Sequence, residues 1–136
     1  MTAASFVDTN VLLYADDIHA PAKRERAESL IKQITDARSG CLSMQVLQEY
    51  FAVATQKLGL SAEFARERVE RYVRFDVVIL KPADLLAAIA LHQRYQFSIW
   101  DALIVRAALI SGCETLYSED FQNGQRIEKL TIVNPF

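Results

Sequence analysis

Glycine, proline and cysteine are scarce in this chain: its 136 residues include four glycines, three prolines and two cysteines. Disordered chains are typically poor in apolar residues, whereas 51% of this sequence is hydrophobic. The composition therefore excludes a disordered chain and predicts a compact, helix-rich globular protein. The length matches one ordinary domain with a buried core, so we assign residues 1–136 to a single domain.

The two cysteines, Cys41 and Cys113, form no C-x-x-C pair, and both have apolar neighbours. This predicts buried free thiols in a reducing compartment. Long apolar runs are also missing, since the runs at 85–91 and 102–110 are too short to span a bilayer and Arg106 interrupts the second. The first residues contain neither a basic segment nor a signal-type apolar stretch. We therefore expect a cytoplasmic protein without a membrane segment.

An excess of positive charge is absent as well, because the formal net charge is −2. Without a global basic field, the composition counts mildly against a nucleic-acid partner. A cluster of acids that binds a metal would itself lower the net charge, so this observation does not decide the matter.

Apolar segments alternate between strand-like and helix-like patterns along the whole chain. Strands are predicted at 3–7, 41–42, 77–80, 115–117 and 130–133, and helices at 11–15, 21–37, 44–58, 61–73, 82–95 and 98–111. Gly40 is predicted to end the second helix, and the fully apolar strand 77–80 is typical of a central parallel strand. This order predicts an α/β fold, a three-layer α/β/α sandwich with a mostly parallel sheet of about five short strands.

Four acids lie beside element boundaries or within helices of this pattern. They are Asp8, Glu49, Asp101 and Asp120. Parallel strands deliver such residues to the carboxyl edge of the sheet, where acids distant in sequence converge. Converging carboxylates repel one another unless a cation neutralises them, and Mg²⁺ or Mn²⁺ suits ligands that are all oxygen. Taken singly, each acid also has an ordinary explanation as a helix cap, a solvated side chain or a loop residue.

Four motifs together carry a resemblance to a known family. They are Phe6-Val7-Asp8-Thr9-Asn10, Ser43 with Glu49, Ser98-Ile99-Trp100-Asp101-Ala102-Leu103-Ile104, and Leu116-Tyr117-Ser118-Glu119-Asp120-Phe121 with Gly124. In motif order and length, the chain resembles the PIN-domain nucleases, and most of all the VapC-type toxins of prokaryotic toxin–antitoxin pairs. The resemblance extends over the whole chain, and its motif around Glu49 is the least specific.

The resemblance implies a metal-dependent endoribonuclease that leaves a 5′-phosphate and a 3′-hydroxyl. The implied catalytic residues and ligands of one or two Mg²⁺ or Mn²⁺ ions are Asp8, Glu49, Asp101 and Asp120. Thr9 and Ser118 match hydroxyl positions that support the site through hydrogen bonds. Asn10 matches a polar position that orients the acid before it, and the choice of general base among the acids stays open.

The resemblance also implies partners: an RNA substrate such as tRNA or rRNA, a cognate VapB-like antitoxin, and a second copy of the chain in a homodimer. Two charged residues near the motifs, Glu119 and Arg106, are considered separately. The side chain of Glu119 is expected to point away from those of Ser118 and Asp120, because adjacent residues on a strand alternate faces. Arg106 lies in an apolar helix and needs a partner, so we expect it to pair with a carboxylate of the site rather than to contact an RNA phosphate.

Two other functions fit parts of the pattern. Haloacid-dehalogenase-type phosphatases also use an aspartate after the first strand, but they usually carry a second aspartate where this chain has Asn10. Receiver-like modules pair two acids after that strand and place a lysine after a late strand, and neither feature is present. A non-catalytic PIN-like module that binds RNA remains an alternative, although such relatives tend to lose acids that this chain keeps.

Overall fold

A computed structural model describes residues 3–136, and a six-stranded sheet forms its centre. The strands are β1 (Ser5–Val7), β2 (Gly40–Ser43), β3 (Asp76–Val78), β4 (Thr115–Tyr117), β5 (Arg126–Ile127) and β6 (Leu130–Val133). Their order across the sheet is β3-β2-β1-β4-β6-β5. All neighbours are parallel except β5 and β6, which form an antiparallel hairpin.

Within the described residues, six helices connect and cover these strands. They are α1 (Thr9–Tyr14), α2 (Pro21–Ala37), α3 (Met44–Gln56), α4 (Ala62–Tyr72), α5 (Pro82–Tyr95) and α6 (Ile99–Ile110). Helix α1 packs against α2 and α3, α3 packs against α4, and α5 packs against α6. The predicted mixed α/β sandwich with a mostly parallel sheet is therefore confirmed. No helix within residues 3–136 combines the length and the apolar character needed to cross a bilayer.

Three serines begin helices where the sequence predicts caps. The hydroxyls of Ser43, Ser61 and Ser98 accept hydrogen bonds from backbone amides three residues later, at 3.3, 3.1 and 3.1 Å. Each bond satisfies an amide that has no partner within its helix. The caps explain why these helices start within one residue of their predicted positions.

Gly40 has a different role from the predicted one. Helix α2 ends at Ala37, and Arg38 takes the left-handed conformation after it, with φ of 52°. Gly40 is the first residue of β2, and a Cβ atom there would lie 2.6 Å from the ring of Phe75 and 2.9 Å from Ile34. The prediction that Gly40 stops the helix is wrong, because the residue instead allows close packing between β2 and its neighbours.

The apolar sequence of the third strand predicts a central position, but β3 lies at one edge of the sheet and pairs with β2 alone. The strand is predicted to reach Leu80 but ends at Val78, and Ile79 after it is 71% exposed. The sheet also has one strand more than predicted, since β5 has only two residues and precedes the turn into β6. A segment of two residues is too short to show a periodicity of two.

The core surrounds the two central strands. Phe6 and Val7 of β1 and Leu116 of β4 are fully buried, and side chains of α1, α3 and α6 pack around them. Cys41 and Cys113 are both buried and free, as predicted. Because β1 and β4 are adjacent and parallel, the residues that follow them meet at the same edge of the sheet.

Candidate functional site

Asp8 directly follows β1 and lies in the centre of this edge. Its backbone amide donates to the carbonyl of Tyr117, the last residue of β4, at 3.0 Å. Asp8 is also the N-cap of α1, and its carboxylate accepts a hydrogen bond of 2.7 Å from the amide of Thr9. Local sequence thus brings the acid to the sheet edge, and the cap fixes the direction of one of its oxygens.

The second oxygen of Asp8 accepts a hydrogen bond of 2.7 Å from the hydroxyl of Ser118. Asp8 is only 3% exposed, and burial raises the pKa of its carboxyl group to about 7. The hydrogen bonds from Ser118 and Thr9 lower this pKa, and the charges of Asp120 and Asp101 raise it. A buried carboxylate beside two further acids is costly to ionise unless positive charge compensates it.

Glu49 lies in the second turn of α3 and is held at both carboxylate oxygens. The hydroxyl of Thr9 donates to Oε2 at 2.9 Å, and the side chain of Gln45 donates to Oε1 at 2.9 Å. Gln45 also donates to the backbone carbonyl of Trp100, next to Asp101, at 3.3 Å. One side chain of α3 therefore connects Glu49 with the start of α6.

Asp101 lies in the first turn of α6, where Ser98 caps the helix. Partial burial raises the pKa of the Asp101 carboxyl group, as do the negative charges of Asp120 and Glu49, while a hydrogen bond from Ser98 lowers it. Asp101 and Asp8 thus both experience the charges of other acids in the set. Charge interactions therefore link all four acids: Asp8 with Asp101 and Asp120, and Asp101 with Asp120 and Glu49.

Asp120 follows β4 by three residues and is exposed. The side-chain amide of Asn10 donates to its carboxylate at 3.0 Å, and its own backbone amide donates to the hydroxyl of Ser118 at 3.1 Å. The acid that Asn10 orients is therefore Asp120, rather than the preceding Asp8 as the resemblance implies. Ser118 connects the two aspartates, because its hydroxyl donates to Asp8 and accepts from the amide of Asp120.

The four acids have no cationic partner in the part of the chain that the structure describes. None of the six ion pairs within residues 3–136 includes Asp8, Glu49, Asp101 or Asp120. Over the same residues, no three Asp, Glu, His or Cys side chains are grouped closely enough to enclose an ion by themselves. Mg²⁺ retains several waters and needs only one or two protein carboxylates, so an open, all-oxygen set fits this ion.

Two charged side chains near the acids form their hydrogen bonds and ion pairs outside the site. Glu119 points away from the acids, as expected, towards Tyr14 of α1 and Lys23 of α2. Arg106 forms an ion pair of 3.0 Å with Asp84 of α5, so its predicted pairing with a site carboxylate is wrong. Five residues of an α-helix turn through roughly 140° beyond a full rotation, which directs Arg106 away from the face of Asp101.

Sequence reasoning missed three side chains that support the site. Gln45 lies four residues before Glu49 in the same helix, a spacing that brings side chains together and could have indicated the contact. Tyr14 and Lys23 reach Glu119 across 105 and 96 positions, and no local pattern signals such contacts.

Two large clefts lie elsewhere on the molecule. One, of about 1220 Å³, lies between α2 and α4 and includes Tyr72 and Phe75 in its lining. The other, of about 940 Å³, lies beside the amino-terminal ends of β4 and β6. Neither lining includes any of the four acids.

Several solved structures resemble this fold. A toxin–antitoxin complex from Klebsiella pneumoniae is 21% identical, with a TM-score of 0.67 and coverage of 98% of both chains. VapC20 from Mycobacterium tuberculosis, described as a sarcin–ricin loop cleaving toxin, is 17% identical, with a TM-score of 0.68 over 86% of this chain and 90% of its own. DNA-bound VapBC from Salmonella typhimurium is 19% identical, with a TM-score of 0.69 over 99% and 100%.

No curated protein sequence matches the chain. The sequence profile of the PIN domain, however, matches residues 5–127, which include all four acids and every strand except β6. The match covers most of the chain and agrees with the motifs, the order of elements and the fold. This chain therefore belongs to the PIN-domain family.

Proposed function

We propose that this PIN domain is a divalent-metal-dependent endoribonuclease of the VapC toxin kind. The observation that carries the proposal is a set of four carboxylates from four separate segments whose charges influence one another. Within residues 3–136, none of the four pairs with a cationic side chain. A structural role would favour neutralisation by lysine or arginine, since acids that raise one another's pKa destabilise the fold. Such a cost is typical of functional sites.

The residues that would hold Mg²⁺ or Mn²⁺ are Asp8, Glu49, Asp101 and Asp120. When bound there, the ion would neutralise the carboxylates, lower the pKa of water and stabilise charge that develops on the scissile phosphate. In the hydrolysis, water adds to phosphorus and the bond from phosphorus to the 3′ oxygen breaks. That oxygen gains a proton, so the products are a 5′-phosphate and a 3′-hydroxyl.

The side chains around the acids orient them for this task. Thr9 and Gln45 hold the two oxygens of Glu49, while Ser118 and the amide of Thr9 hold those of Asp8. Hydrogen bonds that fix the ligands in advance reduce the reorganisation needed when an ion and a substrate bind.

An RNA substrate and an antitoxin partner are supported by the nature of the similar structures. VapC20 is described as a toxin that cleaves the sarcin–ricin loop, and the Klebsiella and Salmonella structures contain toxin–antitoxin complexes. We propose structured RNA such as tRNA or rRNA as substrate, a VapB-like protein as inhibitor, a homodimer as the assembly and the cytoplasm as the location.

The test is cleavage of total tRNA and rRNA by purified protein with Mg²⁺, with Mn²⁺ and with EDTA. The variant Asp101→Asn removes one charge but keeps the shape of the side chain, so it should remain folded and lose cleavage. Asp36→Asn is the matched control, because this exposed acid pairs with Lys32 on α2. We expect metal-dependent cleavage by the wild type and the control, with 5′-phosphate ends on the products.

Equal cleavage by Asp101→Asn and the wild type would contradict the assigned role of Asp101. A folded wild-type protein that binds these RNAs but cleaves none of them with either ion would instead favour the non-catalytic RNA-binding module.

A further inference from the structure

Helix α1 contacts the two neighbouring acidic segments at both of its ends. Near its start, Thr9 donates to Glu49 and Asn10 donates to Asp120. Near its end, two further hydrogen bonds reach the residues adjacent in sequence to these acids. One joins Tyr14 to Glu119, and the other joins Tyr50 to Asp16, two residues after Tyr14.

The contact between α1 and the segment after β4 is well defined. The hydroxyl of Tyr14 donates to Glu119 at 2.6 Å, and Lys23 of α2 pairs with the other carboxylate oxygen at 2.8 Å. Asn10 and Tyr14 are four residues apart and so lie on the same face of the helix. Glu119 and Asp120 therefore attach to this face one helical turn apart.

The contact between α1 and α3 is buried. The hydroxyl of Tyr50, a fully buried residue of α3, donates to Oδ2 of Asp16. Arg68 of α4 pairs with Oδ1 of Asp16 at 3.0 Å. Both carboxylate oxygens of this buried aspartate are paired, and breaking either contact would cost unfolding free energy because it leaves a buried charged oxygen without a partner. The contact therefore holds the end of α1 against α3.

We propose that the hydroxyls of Tyr14 and Tyr50 are positioning groups for Asp120 and Glu49, respectively. Helix α1 has six residues, too few to be stable by itself, so its direction depends on contacts with its neighbours. Val11 and Leu12 hold the middle of the helix in the core, and the hydrogen bonds near its two ends attach it to the acidic segments. The second attachment of each segment, one to two turns later, sets the angle at which Thr9 and Asn10 meet their carboxylates.

This inference rests on the proposed function for its effect on catalysis, but its structural part can be tested without cleavage. The variant Tyr14→Phe removes the hydroxyl and keeps the ring, whose centroid lies 4.8 Å from that of Phe136. In metal-free protein we expect about tenfold faster hydrogen exchange at the amides of Glu119 and Asp120, with little change in Tm. The amide of Glu119 donates to Asn10 of α1, so its exchange reports the attachment directly. The amide of Asp120 donates to Ser118 and reports the order of the segment itself.

The corresponding variant for α3 is Tyr50→Phe. We expect faster exchange at the amides of Asp16 and Asp17, whose hydrogen bonds to Leu13 and Tyr14 close the end of α1. Tyr95→Phe is the matched control, because it removes a hydroxyl from a tyrosine that stacks on Phe97 in another part of the molecule.

The functional readouts are Mn²⁺ binding, measured by calorimetry, and the kinetics of RNA cleavage. We expect Tyr14→Phe and Tyr50→Phe each to weaken Mn²⁺ binding by about tenfold and to lower kcat with KM for RNA unchanged. Lys23→Arg should retain both properties, whereas Lys23→Met should behave like Tyr14→Phe. Tyr95→Phe should match the wild type.

Unchanged amide exchange in both tyrosine variants would overturn the inference, whether or not the protein proves to be a nuclease. Faster exchange with unchanged Mn²⁺ affinity would reduce both hydroxyls to a structural role and would equally overturn it. By contrast, a wild-type protein that neither binds Mn²⁺ nor cleaves RNA would contradict the proposed function. In that case the exchange measurements would still decide whether the two hydroxyls hold α1.

Discussion

The hydroxyl of Ser118 donates a hydrogen bond of 2.7 Å to the carboxylate of Asp8, across 110 positions of sequence. Both residues are almost completely buried, and each directly follows one of two adjacent parallel strands. The same hydroxyl accepts from the amide of Asp120. A single side chain thus sets the geometry of two acids that the sequence places on different segments.

Ser118→Ala is expected to weaken both the fold and the acidic site. Removing a buried donor from a carboxylate costs about 1–3 kcal/mol of unfolding free energy, and the pKa of Asp8 should rise because this hydrogen bond lowers it. Urea denaturation and Mn²⁺ titration measure the two effects. Ser61→Ala is the control, since it removes a helix cap at a cost of about 1 kcal/mol and should leave Mn²⁺ binding unchanged.

The stability of the metal-free protein should fall as pH rises from 4 to 8. Burial raises the pKa of Asp8 from 3.8 to about 7, so the folded state favours the neutral acid. The contribution of this group to stability is fully present below its unfolded pKa and is lost as pH rises through the folded value. The loss corresponds to about 4 kcal/mol, by the energy of one pKa unit.

Asp8→Asn should remove most of this pH dependence and make the metal-free protein more stable at pH 8. Chemical denaturation of both proteins at pH 5 and pH 8 measures the difference. Similar slopes of stability against pH in the two proteins would show that Asp8 is not the group responsible.

Divalent ions should stabilise the wild type far more than the Asp8→Asn variant. A ligand that binds only the folded state adds stability in proportion to the logarithm of its concentration above Kd. We expect Mn²⁺ to raise the Tm of the wild type at pH 8, and EDTA to reverse the shift. An equal shift in Asp8→Asn would place the ion away from this carboxylate.

Arg106→Met and Asp84→Asn should leave RNA cleavage within about twofold of the wild type. The two side chains pair with each other between α5 and α6, and partly exposed ion pairs contribute little to stability. Steady-state cleavage rates and thermal unfolding test this expectation. A large loss of cleavage by folded Arg106→Met would restore a role for this arginine in the site.

Gly40→Ala should destabilise the fold by about 1–3 kcal/mol, because its new Cβ would lie 2.6 Å from the ring of Phe75. Replacing that ring with a smaller side chain should relieve the overlap. We therefore expect Gly40→Ala to cost less in a Phe75→Leu background than in the wild type, as a double-mutant cycle by urea denaturation would show. Additive effects would indicate that the two positions do not interact.

Local signals determined most of the secondary structure and the identity of the acids. Serines at 43, 61 and 98 start helices because a hydroxyl satisfies an amide three residues later, an effect contained within one helical turn. Asp8 follows an apolar strand, and in a parallel sheet that position is the functional edge. These properties depend on neighbours in sequence, so they can be predicted without knowledge of the rest of the fold.

The tertiary structure alone decided which side chain meets which. Asn10 orients Asp120, Arg106 pairs with Asp84 and β3 lies at the edge of the sheet, all against prediction. Strand order and helix rotation set these contacts, and both result from packing the whole core rather than from any local segment. The sequence by itself therefore determined which acids we propose for the site, whereas the packing of distant segments decided how each acid is held.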